Sequence, residues 1–166
     1  QPSRKWFETW LLKTLSAFDP KRPVYVEAES RKIGNLHVPE ALIGQIRNAE
    51  CLGVEASIAA RVSFLLKDYE YFLAEPALFV DRLAALQGLQ SRETLANWRA
   101  LAEAGNWQPL VQALLEMHYD PLYLRSQNRN FADYRPLENF FTDDLSPAGI
   151  KVMAERLLQG RRAQIA

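Results

Sequence analysis

A cluster of charged and polar side chains follows a short apolar run near the start of the chain. Residues 23–26 are rich in β-branched and aromatic types, and Glu27, Glu29, Ser30 and Arg31 come soon after them. Such a run favours a buried strand of a parallel sheet, and polar groups at the carboxyl end of a strand mark the ligand crevice of α/β folds. In an extended chain the two carboxylates point to one side, which suits a shared metal ion or a general base. The alternative is a polar loop in which a carboxylate pairs with a neighbouring basic residue.

Arg61 is a second candidate, on a helix that we predict after the second strand. In P-loop kinase-like folds an arginine at a comparable place reaches transferred phosphates, because its planar fork is permanently charged. A solvent-exposed arginine at a helix start is the simpler interpretation.

A third candidate is the segment 118–135, where aromatic residues alternate with arginines and amides and the apolar periodicity disappears. Aromatic rings stack on unpaired bases, which contributes about 1–3 kcal/mol per base. Arginines and amides contact phosphates or base edges. The segment therefore favours contact with nucleic acid or pyrophosphate, although a packed loop with Tyr119 and Tyr123 in the core is the alternative.

The elements that position these residues are mostly helices, with three short strands. The strands are predicted at residues 23–26, 51–55 and 137–142, each followed by a helical pattern. Helices are predicted to begin near seven capping or proline residues: Ser3, Pro39, Ser57, Pro76, Ser91, Asn106 and Ser146. The helix that begins at Ser57 is predicted to run to Leu73, and the last helix is predicted to end at Gly160. This order predicts an α/β fold with a parallel sheet that is short of strands, mostly helical by residue count.

Composition excludes several classes of protein. The 166 residues are 48% hydrophobic and 24% charged, and the 20 basic residues balance the 20 acidic ones, so only a local patch could attract a polyanion. No apolar run is long enough to cross a membrane, and we expect a cytoplasmic protein. Cys51 is the single cysteine, and His37 and His118 lie far from it, so zinc-ligand spacing is absent. Glycine-rich phosphate loops are absent as well.

Four motifs in the chain resemble one known family, in the family's order. They are residues 26–34, residues 55–62 together with 65–69, residues 118–123 and residues 143–147. These residues are similar to the C-terminal part of bacterial tRNA 2-selenouridine synthases, and the similarity covers nearly the whole chain.

The resemblance implies that residues 1–166 are the C-terminal portion of an incomplete P-loop kinase-like domain, with residues 75–118 as a helical insert. It implies a parent enzyme that converts the wobble 2-thiouridine of tRNA to 2-selenouridine through a geranylated intermediate. Geranyl diphosphate and selenophosphate would be its substrates, no cofactor would lie within this chain, and the role of Mg²⁺ stays open. The expected partners are tRNA, an N-terminal rhodanese domain and a phosphate-loop segment, both outside this chain; no membrane partner is expected.

Site residues follow from the resemblance position by position. The catalytic cysteine is expected outside this chain, and Cys51 is not its counterpart. The residues expected to face the diphosphate or a metal ion are Glu27, Glu29, Ser30, Arg31 and Arg61. The residues expected to contact tRNA or substrate are Tyr119, Asp120, Tyr123, Arg125, Ser126 and Arg129.

Two other functions remain open at this point. A small-molecule or nucleotide kinase-like P-loop domain would share the acidic strand end and the placement of Arg61. A non-catalytic helical binding module would explain the high helix content without any chemistry. A cysteine-bearing rhodanese segment upstream would favour the synthase over the kinase, and retention of tRNA would exclude a module that binds only protein.

Overall fold

The computed structural model describes residues 1–28, 31–131 and 136–165. They form two compact units. Unit 1 comprises Gln1–Glu50 and Ser126–Arg135, and unit 2 comprises Cys51–Arg125 and Pro136–Ala166.

Unit 1 begins with helix α1, Arg4–Ser16. The Oγ atom of Ser3 accepts a hydrogen bond from the Trp6 backbone N–H and caps this helix. A short antiparallel hairpin follows, made of β1 (Lys32–Ile33) and β2 (Leu36–His37). Gly34 supplies the positive φ of +62° that its turn requires. Helix α2, Glu40–Arg47, then buries Ile43.

The strand predicted at residues 23–26 is wrong, because the backbone there has no regular structure. Val24 and Val26 are 48% and 58% exposed, and no strand in the described part of the chain pairs with this run. Residue types favour a strand only where a neighbouring strand completes the hydrogen bonds and covers the side chains.

Unit 2 contains a two-stranded parallel sheet. Strand β3, Leu52–Glu55, pairs with β4, Glu138–Phe141, in the register Leu52 opposite Glu138. These strands agree with the second and third predicted strands. Together with the high helix content, the parallel pair confirms the α/β prediction at its coarse level.

Helices make up most of unit 2. They are α3 (Ile58–Asp68), α4 (Glu70–Ala74), α5 (Pro76–Leu83), α6 (Arg92–Glu103), α7 (Trp107–Leu114) and α9 (Pro147–Ile165). A 3₁₀ turn, Ala84–Leu86, follows α5. The core lies among α5, α6 and α7, where Leu83, Trp98, Ala102 and Leu110 are buried. No helix in the described residues is both long and apolar enough to span a bilayer.

Two predicted helix ends and one predicted cap are corrected. The helix that begins after Ser57 ends at Asp68, because Tyr69 leaves the helical conformation with φ −108° and ψ 30°. The last helix continues through Gly160 to Ile165. Asn106 precedes α7 as predicted, but its side chain makes no capping hydrogen bond.

The loop alternative for residues 118–135 is wrong over its described part. Leu115–Tyr119 form a π-helical segment, and α8 spans Asp120–Asn130. Only Gln127 is buried among the residues of α8, so this helix has no apolar stripe. The periodicity that usually indicates a helix disappears because almost every side chain faces solvent.

Candidate functional site

The carboxyl ends of β3 and β4 lie side by side in unit 2, because the two strands are parallel. The Thr142 backbone N–H donates to the carbonyl of Glu55 at 3.0 Å. Just beyond, the Ser57 N–H donates to Asp143 Oδ1 at 2.9 Å. Ser57 Oγ accepts from the Ala60 N–H at 3.2 Å and caps α3. This edge of the sheet, at the carboxyl ends of the strands where open α/β sheets bind ligands, is therefore hydrogen-bonded to the residue that precedes α3.

Two exposed carboxylates flank this edge. Hydrogen bonds from Ser57 lower the pKa of Asp143 below its usual range. Hydrogen bonds from Ser146 do the same for the pKa of Asp144, whose Oδ1 accepts the Ser146 N–H at 3.0 Å. Asp143 and Asp144 thus accept from the residues that precede α3 and α9, and their negative charge near the first turn of each helix is favourable.

Arg61 lies one turn into α3 and forms a two-pronged ion pair with Asp120. Its Nη1 donates to Asp120 Oδ2 at 2.9 Å, and its Nη2 donates to Oδ1 at 2.6 Å. The side chains are 28% and 33% exposed. The hydrogen bond with Asp120 raises the pKa of the guanidinium, although partial burial opposes this effect. Two residues predicted from separate motifs are thus in direct contact.

Tyr119 and Tyr123 lie one helical turn apart and stack on each other. Their ring centroids are 5.9 Å apart and their planes differ by 10°. The two residues are 51% and 37% exposed, so neither is the core residue that the alternative interpretation required. Asp120 follows Tyr119 directly, which places this pair beside the ion pair of Arg61.

A cavity of about 550 Å³ opens next to the ion pair, entirely within unit 2. Its walls come mainly from α3, α5, α7 and the π-helical segment, and most of its lining side chains are apolar. The residues that line it are Arg61, Phe64, Leu65, Leu66, Tyr69, Leu73, Phe79, Trp107, Val111, Leu114, Leu115, His118, Tyr119 and Leu145.

The remaining predicted tRNA residues follow on α8. Arg125 belongs to unit 2 and is exposed. Ser126 and Arg129 belong to unit 1 and are exposed as well. Ser126 Oγ accepts a hydrogen bond from Asn130 Nδ2 at 3.1 Å.

The predicted acidic cluster lies in unit 1. Glu27 is exposed in a segment without regular structure, so it does not stand at a strand end. Glu29 and Ser30 lie outside the described residues. Arg31 donates from Nη1 to Glu40 Oε2 at 2.8 Å, so its carboxylate partner is on α2 and not in the cluster itself.

Three features went unassigned in the sequence. The cavity is assembled from helices whose apolar stripes looked like ordinary core. Asp143 stood in a family-like motif, but only the parallel register shows that it meets Ser57. Gln127 is 2% exposed, and its Nε2 donates to the carbonyl of Ala28 at 2.7 Å, which anchors the backbone directly after Glu27, within the acidic cluster. A polar residue within a polar run gives no signal of burial.

The described part of the chain holds no group of three His, Cys, Asp or Glu side chains close enough together to bind a metal ion. Cys51 is half-buried at the start of β3. Neither observation assigns chemistry to this chain alone.

Comparisons with known proteins agree with the motifs. Residues 1–94 match the family described as the tRNA 2-selenouridine synthase AAA domain. A tRNA 2-selenouridine synthase of Nitrosomonas europaea is 27% identical over 78% of this chain and 45% of its own length. One from Alcanivorax borkumensis is 30% identical over 74% of this chain and 42% of its own length.

The chain therefore spans less than half the length of these curated relatives. No solved structure matches it. The family match covers more than half of the 166 residues. On this basis the chain belongs to the family of tRNA 2-selenouridine synthase AAA domains.

Proposed function

We propose that this chain is the substrate-binding part of a tRNA-modifying transferase that converts wobble 2-thiouridine to 2-selenouridine. In the proposed sequence, geranyl diphosphate first alkylates the 2-thio sulfur and diphosphate is released. Selenophosphate then attacks the same carbon, the sulfur leaves as geranyl thiol, and water cleaves the Se–P bond to release phosphate. The proposal rests on the family and on relatives that carry the name of the synthase. A rhodanese domain with the catalytic cysteine and a phosphate-loop segment would belong to the rest of the protein.

The observation that carries the proposal is the convergence of two predicted motifs on the Arg61–Asp120 ion pair. Asp120 engages one N–H of each terminal nitrogen, and a guanidinium has five. The remaining donors are free to meet diphosphate oxygens, with the fork held in one orientation by Asp120. Arg61 would therefore contact the diphosphate, and Asp120 would act as a positioning residue.

The unit 2 side chains proposed to meet tRNA are the stacked pair Tyr119 and Tyr123 and, on another side of α8, Arg125. A stacked and exposed tyrosine pair offers an outer ring face to an unpaired base. Arg125 is exposed two residues after Tyr123, and its charge suits a backbone phosphate. Ser126 and Arg129, in the part of α8 that belongs to unit 1, are proposed to contact tRNA as well.

The acidic cluster is proposed to act with parts of the protein outside this chain. Glu27, Glu29, Ser30 and Arg31 would face the diphosphate or a Mg²⁺ ion held by the upstream phosphate loop. In the described structure Arg31 pairs with Glu40 on the surface, an interaction of low stability that an anionic ligand can replace.

The proposal is tested with the full-length protein, geranyl diphosphate and an anticodon stem-loop that carries 2-thiouridine. Mass spectrometry of the nucleosides should show the S-geranyl product, and selenophosphate should then convert it to 2-selenouridine. Arg61→Gln should lower the yield of the geranylated nucleoside strongly, whereas Arg99→Gln on the exposed face of α6 should not. A full-length protein that forms neither product from these substrates would refute the proposal.

A further inference from the structure

The cavity in unit 2 has the dimensions of a small-molecule site. Its volume of about 550 Å³ lies within the range of about 300–1,000 Å³ that is typical of ligand pockets. Leucine, valine and phenylalanine side chains of α3, α5 and α7 supply most of its walls. A cavity with such walls does not hold ordered water well, so an apolar group is its favourable occupant.

The polar side chains of the cavity are concentrated near the start of α3. Arg61 lines the cavity there, and its partner Asp120 directly follows Tyr119, which lines the cavity together with His118. Farther along α3 the lining residues are Phe64, Leu65, Leu66 and Tyr69. The cavity therefore combines one cationic, hydrogen-bonding region with an extended hydrocarbon-like wall.

The length of that wall indicates the size of the occupant. From Arg61 to Tyr69 the chain advances by eight residues, or about 12 Å at the rise of an α-helix. Three single bonds of an extended chain span about 3.8 Å, so a wall of this length accommodates about nine bonds. An extended chain of about eight to ten carbons fits it, whereas a nucleobase would leave its polar edges without partners along most of the wall.

We propose that this cavity binds the acyclic hydrocarbon chain of an amphiphile whose anionic head group lies at Arg61. The identity of the ligand rests on the proposed function: the hydrocarbon chain would be the geranyl group, and the diphosphate would lie at Arg61. The complementarity of the anion with the guanidinium fixes the direction in which the chain enters. Phe64, Tyr69 and Tyr119 are 40%, 44% and 51% exposed, so the cavity is open to a ligand from solvent.

The test compares one variant that fills the cavity with a matched variant that does not. Val111→Phe places a larger side chain in the cavity from α7, and Gln112→Phe places the same side chain on the exposed face of that helix. Calorimetry on the full-length protein measures binding of geranyl diphosphate, n-decyl phosphate, dimethylallyl diphosphate and inorganic diphosphate. Leu65→Phe, on the opposite wall, repeats the test if Val111→Phe does not fold.

The expected result is a loss of chain binding without a loss of head-group binding. Each methylene group removed from a buried site lowers affinity about fourfold, so displacement of three groups lowers it about 50-fold. Val111→Phe should therefore weaken the binding of geranyl diphosphate and of decyl phosphate by about this factor. The affinity of this variant for dimethylallyl diphosphate and inorganic diphosphate should be nearly unchanged. Gln112→Phe should leave the affinity for all four ligands unchanged.

The outcomes separate this inference from the proposed function. Binding of geranyl diphosphate to Val111→Phe and Leu65→Phe with wild-type affinity would overturn the cavity assignment and leave the proposed function intact. Binding of decyl phosphate but not geranyl diphosphate, sensitive to Val111→Phe, would support the cavity and refute the geranyl substrate. Failure of both chain-bearing ligands to bind the wild-type protein would refute both, as expected if a protein segment fills the cavity.

Discussion

Arg61 on α3 and Asp120 at the start of α8 are joined by two parallel hydrogen bonds, 2.9 and 2.6 Å long, across 59 residues of sequence. The pair connects the helix that follows β3 to the segment that carries the stacked tyrosines. The proposed chemistry of unit 2 depends on this contact.

Removal of Asp120 should destabilise the protein, because Arg61 then loses its ion-pair partner. Asp120→Ala leaves a half-buried guanidinium unpaired, and we expect a loss of about 1–3 kcal/mol in the free energy of unfolding, measured in urea. The double variant with Arg61→Ala should show a coupling of about 1 kcal/mol. Arg4 and Glu8 form a more exposed pair, so Glu8→Ala should lower the free energy of unfolding much less than Asp120→Ala does. Equal losses at Asp120 and Glu8 would contradict the structural role of the pair.

The tyrosine stack should contribute to tRNA affinity through its ring faces. Tyr119→Ala is expected to lower the affinity of the full-length protein for tRNA by about 5- to 150-fold, the value of one base stacked on one ring. Tyr119→Phe keeps the ring and should bind nearly as well as the wild type. Tyr71→Ala, at an exposed tyrosine on α4, is the control and should have no effect. Fluorescence anisotropy with a labelled anticodon stem-loop measures all three.

The contact between Asp143 and Ser57 should make stability depend on acidity. The folded-state pKa of Asp143 is lowered, so its contribution is fully present above the ordinary value of about 3.9 and is lost as pH falls through the lower folded value. Asp143→Asn should therefore lower the melting temperature at pH 7, and its difference from the wild type should shrink below about pH 4. Asp81→Asn, at an exposed aspartate of α5, should show neither effect. A difference in melting temperature that stays constant from pH 7 to pH 3 would contradict a role for the ionised carboxylate of Asp143.

Gly149 should be intolerant of a side chain. A Cβ atom at this position would overlap the backbone carbonyl of Asp144, whereas one at Gly44 would meet open space. Gly149→Ala is expected to destabilise by about 1–3 kcal/mol in spite of the better helix propensity of alanine. Gly44→Ala should stabilise by about 0.4–1 kcal/mol. Stabilisation by both substitutions would show that the turn before α9 adapts more freely than its geometry indicates.

Much of the fold could be predicted from local signals. Caps at Ser3, Ser57 and Ser91 each accept the expected backbone N–H, so these helices begin where the sequence indicates. The second and third strands could be identified because apolar runs are bounded by polar turns. The parallel pairing of β3 with β4 follows from the helices that separate them.

What could not be predicted depends on long-range pairing and on exposure. Residues 23–26 have strand-like types but no pairing partner in the described structure, and residue type alone carries no information on partners. The exposed helix α8 lacks the apolar period that would identify it. The contact of Arg61 with Asp120 could not be predicted, because it depends on the packing of two elements that are distant in sequence. Each residue alone could be identified as a candidate from its own motif.

The most direct test of the account is the salt dependence of tRNA binding. The full-length protein with Arg125→Glu and Arg129→Glu is compared with the variant Arg92→Glu and Arg99→Glu, which makes the same change in charge at two exposed positions of α6. If α8 contacts the tRNA backbone, the first variant should bind more weakly, and its slope of log affinity against log salt should be shallower by roughly one per lost contact. The α6 variant should retain the wild-type slope. An unchanged affinity and slope for the α8 variant at moderate salt would contradict the assignment of this helix to tRNA.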